Sequence, residues 1–132
     1  MRFLLDVLEH TVPFTRLFDE CLAVANHYVV VSLPNELHWA DRLRILFGKV
    51  LSTHSLDLIG RPIGFKHQYI VNIAKARVRL KLQADQAGFS LEKEFLCPLL
   101  AKQQLLQPAL WLMRQLSSDR LWSLASIFVF RK

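Results

Sequence analysis

Tyr28-Val-Val-Val-Ser-Leu-Pro-Asn35 decides the fold of this chain. Its β-branched and apolar residues predict a buried strand from Tyr28 to Leu33, closed by Pro34-Asn35. Upstream, Phe14, Leu17, Phe18, Cys21, Leu22 and Ala25 recur at helical spacing and mark one buried helical face, which ends at Asn26-His27. Thr11 is placed to cap that helix, and Pro13 fits its first turn. Before it, Arg2-Phe-Leu-Leu-Asp-Val-Leu8 is an apolar run with one acid, expected to be a strand covered on both faces. Strand, helix and strand within the first 33 residues form a βαβ unit, which implies a parallel pair with a right-handed crossover.

Outward from this unit, Glu36 to Phe47 reads as a helix with Leu37, Ala40, Leu43 and Phe47 inward and Gly48 as its stop. From Lys49 to Tyr69 the pattern dissolves into a polar stretch with two glycines and a proline, an irregular loop of functional length. Ile70 to Ala87 predicts a further helix, with Ile73, Ala76, Leu80 and Ala87 on one side and Gly88 closing it. Phe89 to Leu96 alternates, Phe89, Leu91, Lys93 and Phe95 against Ser90, Glu92 and Glu94, as a strand near a sheet edge does. Leu99 to Leu116 carries a broad apolar stripe and reads as a helix bent at Pro108, and Leu121 to Phe130 is a last strand. The order β-α-β-α-loop-α-β-α-β is an α/β pattern, with a parallel first half and an antiparallel final pair.

Composition bounds what such a chain can do. Its 132 residues suit one domain, 1–132, and 52% hydrophobic against 21% charged residues supply a core and exclude disorder. The 17 Lys+Arg against 11 Asp+Glu give +6, which suits an anionic ligand. Arg77, Arg79 and Lys81 stand two apart and fan around their helix instead of lining one face, so no nucleic-acid surface is expected. Every apolar stretch is interrupted by polar or charged residues, which argues against a membrane span. Cys21 and Cys97 form no C-x-x-C and follow no secretory leader, pointing to a reducing, cytoplasmic setting. None of the four glycines pairs in a G-x-G-x-x-G or P-loop spacing, and Ser32 lies in no G-x-S-x-G elbow.

Asp6-Val-Leu-Glu-His10, then Val29-Val-Val-Ser-Leu-Pro-Asn35, then Ala87-Gly-Phe89 opening a strand, together resemble the C-terminal half of a class I S-adenosylmethionine-dependent methyltransferase. The resemblance spans nearly the whole chain. It implies a Rossmann-like seven-stranded sheet of order 3-2-1-4-5-7-6 with strand 7 antiparallel, of which this chain supplies strands 4 to 7 in the order 4-5-7-6. It implies S-adenosylmethionine as cofactor and a small-molecule oxygen, nitrogen or carbon nucleophile as methyl acceptor. The glycine-rich loop and the strand-end acid that hold the cofactor's methionine and ribose have no counterpart in these residues. A non-catalytic half-domain that completes a sheet with a partner chain is therefore the alternative reading.

The site residues follow from the resemblance. Asp6, Glu9 and His10 lie at the carboxyl end of the opening strand, where open α/β sheets bind ligands. Asp6 and Val7 are expected beside the cofactor. His10, with Glu9, is expected to take the acceptor's proton, a task imidazole suits at neutral pH. The i, i+3, i+4 spacing of Asp6, Glu9 and His10 also resembles the metal-binding set of ubiquinone-type O-methyltransferases, with a shorter aspartate in place of a glutamate. No metal is assigned, and this trio is where one would sit. Asn35, Trp39, Arg42, His67 and Tyr69 are expected around the acceptor, with Arg44, His54, Arg61 and Lys66 nearby. The opening strand, apolar on both faces and without the neighbour that strand 1 gives it in the resembled fold, is expected to pair with a second copy or a partner along Arg2–Leu8.

Overall fold

The computed structural model describes residues 1–11, 13–49, 67, 70–98, 111–112, 115 and 117–132. Four strands, β1 (Arg2–Leu5), β2 (Tyr28–Pro34), β3 (Ser90–Pro98) and β4 (Ser123–Arg131), form one mixed sheet in the order β1-β2-β4-β3. Among the described residues there are three α-helices, α1 (Phe14–Val24), α2 (Trp39–Leu46) and α3 (Ile73–Gln86). β1 and β2 are parallel, from Arg2↔Val29 to Leu5↔Ser32. β4 runs antiparallel to both β2 and β3, so the last strand in sequence is inserted between two earlier ones.

The continuously buried β2 and the alternating β4 build the core. Register places Leu4, Val31 and Phe128 side by side, and Val29 beside Phe130, all on one face and all buried. α1 adds Phe18 and Leu22 to that face, and α3 adds Ile73, Leu80 and Ala84. Fully burying such side chains contributes roughly 1.5–3 kcal/mol each, so this one layer carries most of the stabilisation. The Phe18 and Phe130 rings meet at 5.5 Å in a tilted arrangement.

Several expectations change on contact with the fold. β1 ends at Leu5 and is not covered on both faces: only Leu4 is buried, while Phe3 and Leu5 are 59% and 52% exposed. Among the described residues it has a strand neighbour on one side only, and Asp6, at φ 50°, turns the chain into a short 3-10 turn, Leu8–His10. Thr11 does not cap α1. Its hydroxyl donates to the Leu8 carbonyl at 3.2 Å, and extended Pro13 takes the cap position. α2 starts at Trp39, after His38 Nδ1 accepts from the Ala40 amide at 3.2 Å. None of α2 is buried, and Leu43 and Phe47 are exposed, because the helix lines a groove with Trp122 instead of lying on the core.

α3 begins at Ile73, capped by Asn72 Oδ1, which accepts from the Lys75 amide at 3.2 Å. Ala87 is exposed beyond its end, and Gly88 follows at φ 78°, a left-handed conformation that glycine adopts without strain. In β3 a register shift between Leu91 and Lys93 breaks the expected alternation. After it, Glu94 aligns with Phe128 on the face of α3 and Phe95 turns outward, 51% exposed. Glu94 then takes Arg77 of α3 at 2.8 Å and Arg120 at 3.0 Å, so the misaligned acid ties helix to sheet. The irregular stretch expected over 49–69 lies outside the described residues except for Lys49 and His67. The helix expected over 99–116 lies outside them except for Trp111, Leu112 and Gln115.

Candidate functional site

Because β1 and β2 are parallel, residues 6–10 and 35–38 leave the sheet at the same end, the carboxyl ends of the strands. The Leu8–His10 turn buries Glu9, 2% exposed, and leaves His10 half-buried. His67, from the chain before α3, closes on the turn, and its ring meets that of His10 edge to face at 4.7 Å. Glu9, His10 and His67 each bring one metal-ligating atom to within 4.8 Å of the others.

Glu36 organises this cluster from behind. It leaves β2 two residues after Pro34 and is almost fully buried. Its Oε1 lies 2.6 Å from His67 Nδ1, and its Oε2 accepts from the Val71 amide at 3.0 Å. Both carboxylate oxygens are thus engaged, and the His67 ring is held in one orientation. Glu9 differs, since its Oε2 is buried with no hydrogen-bond partner. Burial pushes the Glu9 carboxyl above its ordinary range; its own backbone hydrogen bond and the His67 and His10 imidazoles oppose the shift, and Asp6 adds to it.

Beside Glu9 opens an apolar cavity of about 270 Å³, walled by Leu8, Phe14, Leu33, Val71 and Ala76, with Lys75 and Arg79 at its polar side. That volume is close to the lower end for small-molecule pockets. No protein-family model matches the chain, and no curated protein does.

The remaining expected residues divide into groups. Asp6 lies at the turn but outside the ligating cluster, where its Oδ1 accepts from Ser32 Oγ at 3.3 Å, and Val7 beside it is partly exposed. Asn35 is buried, and its Nδ2 donates to the carbonyls of Arg120 at 2.7 Å and Ser123 at 2.9 Å, stapling the end of β2 to the start of β4. Trp39 packs on Trp122 at 5.3 Å and lines, with Arg42, a separate groove of about 600 Å³. Arg42 Nε donates to the Leu37 carbonyl at 2.7 Å, and Arg44 pairs with Asp41. Of the expected acceptor residues, the structure therefore brings His67 to Glu9 and His10, while Trp39 and Arg42 assemble elsewhere. Tyr69, His54, Arg61 and Lys66 lie outside the described residues.

Glu36 is the residue that the sequence reading missed. The available signal was an acid directly after a buried strand that ends in Pro-Asn, at the ligand-binding end of the sheet. Among the described residues Cys21 and Cys97 are free thiols, and no helix is long and apolar enough to cross a membrane. Burial raises the Cys21 thiol above its ordinary range, which makes it a poor nucleophile.

Proposed function

We propose that this chain forms the acceptor-side half of an S-adenosylmethionine-dependent methyltransferase, acting on a small-molecule oxygen, nitrogen or carbon nucleophile in a cytoplasmic setting. The observation that carries the reading is the sheet order β1-β2-β4-β3 with β4 antiparallel. Counted as the resembled family counts its strands, that is 4-5-7-6, and the Glu9, His10, His67 cluster lies at its ligand-binding end.

The residues present fit one wall of the cofactor site and not its cradle. Asp6 and Val7 stand at the end of β1, but the described glycines, Gly48 and Gly88, close α2 and α3 and follow no strand. The cofactor contributes an electrophilic methyl group. This chain's part is to place the acceptor beside the apolar cavity and remove its proton. His10 is the base, with the neighbouring His67 ring fixed by Glu36, and the buried Glu9 carboxylate favours the imidazolium that forms. In calorimetric titration the 132-residue chain is expected to bind S-adenosylmethionine only weakly. The same chain fused to a glycine-rich strand-loop-helix unit at its N-terminus is expected to bind it at micromolar concentration. Micromolar binding by the 132 residues alone would place the cofactor elsewhere, and none by the fusion would remove the reading.

The second reading, a non-catalytic half-domain that pairs with another chain, is favoured by β1. Among the described residues no strand pairs with its outer edge, Phe3 and Leu5 are exposed, and within the strand only Arg2 is charged. Unpaired backbone groups beside exposed apolar side chains template strand addition. Light scattering across a concentration series should show self-association that Phe3→Lys with Leu5→Lys abolishes. A wild-type monomer at high concentration would show that β1 is not an assembly edge.

A further inference from the structure

The cluster at the end of β1 combines two imidazoles and a buried carboxylate drawn from two separate parts of the chain. We propose that Glu9, His10 and His67 bind a divalent first-row transition ion of the zinc type, with Glu36 as the outer carboxylate that orients His67. Two histidines and one carboxylate are the donor set of open zinc sites, which keep a further position for water or substrate. Magnesium and calcium select oxygen donors instead.

Three observations converge on the ion. Glu9 Oε2 is buried without a hydrogen-bond partner, an unfavourable state, more so for a charged oxygen, that a cation relieves. The 2.6 Å approach of His67 Nδ1 to Glu36 Oε1 directs coordination to Nε2, the arrangement by which outer carboxylates fix metal-binding imidazoles. The Glu36 carboxylate is itself pinned by the Val71 amide at 3.0 Å, so the support extends to a third layer. Donor atoms around a tetrahedral zinc stand about 3.3 Å apart. The three ligating atoms all lie within 4.8 Å of one another, so small adjustments of the Glu9 and His10 side chains suffice to share an ion with the fixed His67 ring.

The ligand set differs from the i, i+3, i+4 trio of the sequence, because Asp6 is turned away at φ 50° and bonded to Ser32. His67, separated from the turn in sequence by α1, β2 and α2, takes its place. With the ion bound, His10 is a ligand, and an acceptor hydroxyl gains its acidity from the metal; without it, His10 is the base.

Metal binding is measurable with no S-adenosylmethionine present, so it stands or falls apart from the methyltransferase reading. The chelator-treated 132-residue chain is titrated with Zn²⁺ by calorimetry and with Co²⁺ by visible absorption. One ion per chain and the intense absorption of four-coordinate cobalt are expected. His67→Ala and Glu9→Gln should each abolish the cobalt spectrum, and Glu36→Gln should weaken Zn²⁺ binding about 10–100-fold. Asp6→Asn should retain it. Circular dichroism checks each variant's fold, and His67→Gln replaces His67→Ala if the latter unfolds. Absence of stoichiometric Zn²⁺ binding, wild-type binding by both His67 variants, or equal loss in Asp6→Asn and Glu9→Gln overturns the proposal.

Discussion

His10→Ala is expected to slow methyl transfer by about 10²–10⁴-fold in an active protein that contains this chain, the usual contribution of a positioned proton acceptor. The half-buried ring stands 4.7 Å from His67 at the carboxyl end of β1, and Glu9, next to it in sequence, lines an apolar cavity of about 270 Å³. Release of S-adenosylhomocysteine measures the rate, and affinity for S-adenosylmethionine should be unchanged, because the role proposed for His10 is toward the acceptor. A loss below tenfold at unchanged affinity leaves His10 as a packing residue of the turn. Chelation separates the two chemical roles. If turnover survives chelation in the wild type but not His10→Ala, the imidazole is the base; if chelation abolishes turnover, the ion is the activating group.

Phe130→Ala should remove about 3–5 kcal/mol from the stability of the fold. The ring is fully buried, aligned with Val29 and Leu91 across the sheet and packed on Phe18 at 5.5 Å. Because domains of this size are stable by only ~5–15 kcal/mol, such a loss is enough to populate the unfolded chain near body temperature. Phe95→Ala is the matched control. It removes the same side chain from the same sheet, but Phe95 is 51% exposed beyond the β3 register shift, so the expected change is within about 0.5 kcal/mol. Urea denaturation of the two variants provides the comparison. Equal losses would mean that β3 keeps unbroken alternation and that Phe95 is in the core.

What the sequence makes legible here is periodicity, and what it conceals is whatever interrupts or orients it. Tyr28–Leu33 is readable as a continuous β-branched and apolar run, and the α1 face from Phe14 to Ala25 and the antiparallel final pair are readable because apolar residues repeat at fixed spacing. The bulge at Glu92 was not, since one extra residue carries no compositional mark while it sends every later side chain to the other face. α2 misled for a related reason. Leu37, Ala40, Leu43 and Phe47 have helical spacing, but spacing does not say whether a helix lies on a core or beside a groove. At the site, Glu9 and His10 are adjacent in sequence, whereas Glu36 reaches that end of the sheet through the parallel arrangement of β1 and β2, and His67 arrives from the chain before α3. Asp6 shows the converse: right spacing, but a left-handed turn that removes it from the cluster.

The placement of β4 between β2 and β3 sets the order in which this molecule can assemble as it is made. Synthesis delivers residues at about 5–20 per second, so the β1-α1-β2 unit, whose contacts are local, is complete well before β4 emerges. Among the described strands β3 pairs with β4 alone, and it must wait beside α3 without that ladder. The Asn35 staple to Arg120 and Ser123, which spans 85 and 88 positions, can close only at the same late moment. Joining of β3 to the β1-β2 pair thus waits for β4. A ribosome stalled before Ser123 would present β2 and β3 as two open edges, and chaperone capture of the nascent chain should be strongest at that stage.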